Sequence, residues 1–152
     1  MPTKARCHLT VRHYECDPLG HVNHAVYLHY FEVGRLEAMA KAGLPFAAVR
    51  KQGYTVVASD VFVQYKAPAF SDDVLELQSW ITRFHGARMT WQQELYRHRS
   101  EELLALAEVT GAFTLADGRP VRIPPAMREL LEAVHVPDAA WPLPHRRRRP
   151  AS

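Results

Sequence analysis

The spacing of apolar residues divides the chain into one long helix and several strands. Over residues 7–14, Leu9, Val11 and His13 alternate with His8, Thr10 and Arg12, the period-two pattern of a half-buried strand. Turn residues follow at Asp17, Pro18 and Gly20. Asn23 is a good N-cap, and the spacing predicts a helix over about residues 24–42, stopped by Gly43 with Pro45 just beyond. Tyr27, Tyr30, Phe31, Val33, Leu36 and Met39 spread apolar bulk around much of that helix, which marks it as buried. Gly34, Ala38, Ala40 and Ala42 keep part of its surface small, so that a sheet can approach closely.

Four further runs read as strands. Residues 55–66 carry Val57, Val61, Val63 and Tyr65 on one face, and residues 74–84 carry Leu75, Leu77 and Ile81 in phase. Residues 88–97 carry Met89, Trp91 and Leu95, and residues 103–115 form a long last strand. Turns fall at His85-Gly86-Ala87 and Ser100-Glu101, and Asp117-Gly118 ends the last run. Pro124 and Pro125 open a short helix over about residues 126–134. The order of strand, long helix, four antiparallel strands and short helix predicts an α+β fold whose sheet wraps the apolar helix. One sheet leaves a face and two edges uncovered, and dimerisation is the natural remedy.

Composition narrows the class. A length of 152 residues with 47% hydrophobic content suits a single domain, expected over residues 1–135, with a Pro/Arg-rich tail over 136–152. The formal charge of +3 owes much to Arg146, Arg147, Arg148 and Arg149. The body is otherwise near neutral, so no nucleic-acid partner is expected. No run reaches the roughly 18 apolar residues of a membrane span. Residues 1–12 hold no apolar segment of a secretory signal, and Cys7 and Cys16 are too few for a disulfide framework. A reducing, cytoplasmic location is the expectation.

The chemistry concentrates in Asp17-Pro18-Leu19-Gly20-His21-Val22-Asn23-His24-Ala25-Val26-Tyr27-Leu28. This places a carboxylate on a loop directly before a helix N-terminus. The free amides there, from about His24 to Val26, favour an anion or a polarised carbonyl. Thioester hydrolysis needs donors where negative charge develops and a base or nucleophile beside the carbon, and the segment can supply both. Simpler roles compete: Asp17 before Pro-x-Gly can merely cap a turn, and His24 can be a solvent-facing helix residue. His21 and His24 form H-x-x-H near His29 and Glu32, but His21 precedes the helix and no third metal ligand is evident. Cys16 beside Asp17 lacks the surroundings of a thiol nucleophile. Serine-hydrolase elbows and phosphate loops are absent.

These residues carry a family resemblance. Val11-Arg12 through Glu37, with Asp-x-x-Gly-His-Val-Asn followed by Tyr-Leu and Phe-Glu, resembles the 4-hydroxybenzoyl-CoA thioesterase-like hotdog family, including members of bacterial Tol–Pal clusters. Val61 to Asp72 and Gly118-Arg119-Pro120-Val121 with Ile123-Pro124 extend the resemblance, while the tail from about Val136 matches nothing comparable. The resemblance implies a hotdog fold, a five-stranded antiparallel sheet around a long central helix, working as a homodimer or homotetramer. It implies Asp17 as nucleophile or general base and His24 as the second catalytic residue, with the amide near His24 polarising the carbonyl. His21, Asn23, Ala25 and Tyr27 would surround the substrate, and Tyr65 and Lys66 would reach it from a partner's strand. The implied substrate is an acyl-CoA or acyl-carrier-protein thioester, with no metal or organic cofactor. His13 stands where relatives often have tyrosine, and His24 where many have asparagine. Glu32 and Glu37 are the alternative carboxylates, and Arg83, Arg88 and Arg128 are candidate contacts for CoA phosphates. Two other functions remain open: a non-catalytic acyl-binding module on the same fold, and a dehydratase, whose Asp-x-x-x-x-His motif is missing.

Overall fold

Alternating residues and one apolar helix assemble as the pattern requires. The structure, a computed structural model, describes residues 1–143, so the Arg146–Arg149 run lies outside the described residues. The strands are β1 (Ala5–Thr10), β2 (Tyr54–Tyr65), β3 (Val74–His85), β4 (Arg88–Arg97) and β5 (Leu103–Leu115), and the helices are α1 (Val26–Lys41), α2 (Phe46–Lys51) and α3 (Pro125–Leu131). The five strands form one antiparallel sheet in the order β1-β3-β4-β5-β2. Helix α1 lies across its inner face. Phe31, Ala38 and Met39 from α1 share a core with Leu75, Leu77, Ile81, Trp91, Leu95 and Phe113. This is the α+β hotdog architecture.

Close approach of α1 is set by Gly34. A Cβ there would stand 2.3 Å from Leu77 Cδ2 and 2.8 Å from Ser79 Oγ. A buried polar cluster fixes the docking beside it. Gln93 Nε2 donates to the Phe31 carbonyl and to Ser79 Oγ, each at 2.8 Å, and Arg35 Nη1 donates to Gln93 Oε1 at 3.0 Å. Every polar atom of the buried Gln93 amide therefore has a partner, which makes its burial tolerable. Burial lowers the Arg35 pKa from its ordinary value, while Glu32 opposes the shift.

Some boundaries differ from expectation. The first strand ends at Thr10, and residues 13–15 turn in a short 3₁₀ segment (His13–Glu15). Helix α1 starts at Val26, not at His24, because the Asn23 side chain accepts from Ala25 N–H at 2.9 Å and makes a local turn instead of capping a longer helix. Helix α2 was not foreseen: Pro45 opens it as an extended N-cap, so the same proline that stops α1 starts the next turn. In β2 the register shifts between Ala58 and Asp60. Tyr54 and Val56 pack on the core before the bulge and Val63 after it, so no single phase runs from Val57 to Tyr65. Beyond residue 135 the chain does not leave the body at once. Val136 N–H donates to the Ile81 carbonyl at 2.9 Å, and Trp141 N–H and carbonyl pair with the Gln92 amide at 2.8 and 2.7 Å.

Candidate active site

The segment 15–28 runs from β1 around to the start of α1, and hydrogen bonds fix its path. Cys16 bridges Val22, and Asp17 N–H donates to the His21 carbonyl at 2.9 Å. Gly20 closes the turn with a φ of +92°, which any side chain would strain. Val22 N–H donates to the Ala69 carbonyl at 2.9 Å, and Asn23 N–H to the Glu15 carbonyl at 3.0 Å, so the loop is tied on both sides. Tyr30 O–H, from the buried side of α1, donates to Glu15 Oε1 at 3.0 Å, and Arg12 N–H donates to the same oxygen at 2.7 Å. Burial first and the Glu15 carboxylate second push the Tyr30 pKa far up, so the hydroxyl stays a donor. Tyr30→Phe should therefore cost about 1–2 kcal/mol, because it removes a donor from a largely buried carboxylate. Urea unfolding should show a lower midpoint with an unchanged slope.

Asp17 ends with both oxygens engaged differently. Its Oδ1 accepts from Leu19 N–H at 2.9 Å, the turn-capping role. Its Oδ2 lies 3.5 Å from His21 Nδ1, with the carboxylate 19% exposed. A cleft of about 350 Å³ opens beside it, lined by Asp17, His21, His24, Tyr27, Tyr65 and Lys66, together with Val22, Ala67 and Pro68. Tyr65 O–H donates to the His24 carbonyl at 2.7 Å. Tyr27 Oη accepts from Ala69 N–H at 3.2 Å, pinning the start of α1 to the opposite wall. Burial raises the pKa of both tyrosines.

The helix start leaves the expected donor. Ala25 N–H goes to Asn23 Oδ1 and Val26 N–H to the Asn23 carbonyl, whereas His24 N–H has no acceptor among the described residues. Asp17 and the residue that carries this free amide thus line one cleft. Several expected residues take other places. Asn23 and Ala25 shape the turn and do not line the cleft. Tyr65 and Lys66 line it from the same chain as Asp17, because the end of β2 passes directly beside the loop. His21, not His24, is the imidazole beside the Asp17 carboxylate. Val22, Ala67 and Pro68 were missed, since apolar loop residues carry no sequence signal for a cleft wall. Among the candidate phosphate contacts, Arg83 and Arg88 share a separate cleft with His85. Arg128 stacks over Phe84 at 4.6 Å and pairs with Glu132 at 3.5 Å.

The model of the thioesterase-like superfamily matches residues 11–131, most of the chain including this cleft. The chain belongs to that superfamily. This thioesterase is 31% identical over 107 residues to the acyl-CoA thioester hydrolase YbgC of Escherichia coli, spanning 70% of this chain and 79% of the relative. It is 29% identical over 120 residues to the acyl-acyl carrier protein thioesterase ATL3 of Arabidopsis thaliana, which is longer, so the match spans 79% of this chain and 63% of the relative. The solved structure of a probable thioesterase from Bartonella henselae superimposes with a TM-score of 0.76 at 28% identity, covering 80% of this chain and all of that one. The thioesterase is thus a thioester hydrolase of hotdog fold. No helix among its described residues is long and apolar enough to cross a membrane.

Proposed function

We propose that this thioesterase hydrolyses an acyl-CoA or acyl-carrier-protein thioester in the cleft between Asp17 and the start of α1. The observation that carries the reading is the shared cleft: Asp17 lines it together with His24, whose N–H meets no acceptor among the described residues. In the first of two routes the carboxylate attacks the thioester carbon, the thiolate leaves, and water hydrolyses the resulting mixed anhydride. In the second, Asp17 takes a proton from water as that water attacks the same carbon. Either way negative charge develops on the carbonyl oxygen, where the His24 amide donates, a contribution worth about 10²–10³ in rate. His24 lines the same cleft and protonates the leaving thiolate, while His21 holds the orientation of the carboxylate. None of these steps calls for a metal or organic cofactor.

The reading includes a homodimer, or a tetramer built from dimers. Among the described residues β2 pairs only with β5, and its twelve residues leave a long edge with Val57 and Val61 about half exposed, at 47% and 51%. Such an edge invites pairing with a second copy. A cytoplasmic location also belongs to the proposal, supported by two free cysteines.

A thiol-trapping assay over short, long and aromatic acyl-CoAs, with matching acyl-carrier-protein thioesters, tests the function. Turnover well above the buffer rate is expected with at least one thioester. Saturable binding of acyl-CoA without thiol release would instead favour the non-catalytic acyl-binding module, in which Asp17 serves only as a turn cap.

A further inference from the structure

On the outer face of the sheet, away from α1, three side chains from three segments meet. His8 on β1 stands opposite Glu76 on β3 in the ladder, and His98 follows β4, its N–H donating to the Val74 carbonyl at 2.9 Å. His8 Nε2 lies 3.5 Å from Glu76 Oε1, and the two imidazoles meet edge to face with centroids 4.4 Å apart. One ligand atom from each of the three falls within 4.8 Å of the others. None of them touches the Asp17 cleft, and the hydrolysis described above uses none of them.

We propose that His8, Glu76 and His98 form a site for a divalent transition-metal ion of the zinc class, clamping the edge strand β1 to β3 and to the turn after β4. Two imidazoles and a carboxylate are a donor set that suits zinc, nickel or copper and leaves at least one position for water. Zinc–nitrogen bonds of about 2.1 Å place tetrahedral ligand atoms roughly 3.4 Å apart. The His8–Glu76 separation already matches. His98 must close the remainder by side-chain rotation, for which its exposure leaves room.

The carboxylate is held for the task. Gln78 Nε2 donates to Glu76 Oε2 at 2.9 Å, which leaves Oε1 facing His8. Outer hydrogen bonds of this kind orient a ligand before the metal arrives. Arg6 lines the adjoining cleft and opposes a cation, and Glu101 in the same cleft offsets it. Bare proximity of two surface histidines would need neither the cross-strand carboxylate beside them nor the glutamine that fixes it. The ion's role would be structural, since it ties together segments that the sheet ladder joins only at one edge.

Calorimetric titration of the chelator-treated full chain with zinc chloride tests the proposal, with histidine ring signals in NMR as a second readout. One saturable site is expected, with the His8 and His98 ring signals shifting together. His98→Ala and Glu76→Gln should each weaken binding by at least about tenfold, and Gln78→Ala by about 10–100-fold. Asp17→Asn should leave zinc binding unchanged. Absence of a saturable site in the unmodified chain, equal affinity after His98→Ala, or loss of binding after Asp17→Asn would each overturn the assignment.

Discussion

Asp17→Asn is expected to lower kcat on the best thioester by about 10²–10⁴-fold, the range a positioned carboxylate supplies as base or nucleophile. The substitution is nearly isosteric, and a carboxamide oxygen still accepts from Leu19 N–H, so the turn that Asp17 caps should survive. What disappears is the charge on the second oxygen. Its partner His21 lies 3.5 Å away and is partly exposed, so the contact contributes only about 0–1 kcal/mol to stability. Activity and folding therefore separate: initial-rate thiol release should collapse while the thermal unfolding curve stays within a few degrees. Near-normal kcat would reduce Asp17 to the turn cap that its local sequence equally allows.

The second large effect is on stability. Gly34→Val should destabilise the fold by about 3 kcal/mol or more, a large share of the roughly 5–15 kcal/mol that domains possess. Two effects oppose each other at this position. Replacing glycine inside a helix gains up to about 1 kcal/mol from a stiffer unfolded chain. Against that, the first added carbon already sits 2.3 Å from Leu77 Cδ2 and 2.8 Å from Ser79 Oγ. Alanine already needs more than a shift of the Leu77 tip, because Leu77 Cγ and the hydrogen-bonded Ser79 Oγ also lie 2.8 Å away. The two further methyls of valine must displace α1 from the sheet and strain the Ser79–Gln93–Phe31 hydrogen bonds. Urea unfolding should give a much lower midpoint for Gly34→Val and a smaller but clear loss for Gly34→Ala.

Much of this arrangement is legible in the sequence, for identifiable reasons. The alternation through Leu75, Leu77 and Ile81 and the all-round apolar helix carry strong periodicities, so β3, β5 and α1 emerge close to their observed bounds. The small residues of α1 anticipate the contact that Gly34 makes. The β2 bulge is invisible because nothing local to Ser59 marks an extra residue, and its effect is a change of face. The loop motif draws attention to Asp17, whereas the free His24 amide lies one residue before the Ala25 cap, because the Asn23 turn moves the helix start to Val26. That His21 rather than His24 faces the carboxylate depends on the Asp17–His21 backbone hydrogen bond that folds the loop back on itself, a contact that residue types do not encode. The His8–Glu76–His98 cluster escapes for the same reason, since it exists only once the β1–β3 register is set.

Convergence of carboxylate and helix-start amide on one scissile bond can be observed directly. A crystal structure of Asp17→Asn holding an intact acyl-CoA should show the thioester carbonyl oxygen within hydrogen-bond distance of His24 N–H, with the residue 17 side chain beside the carbonyl carbon. A thioester lying elsewhere on the molecule, with the cleft between Asp17 and Lys66 empty, would contradict the assignment of this site.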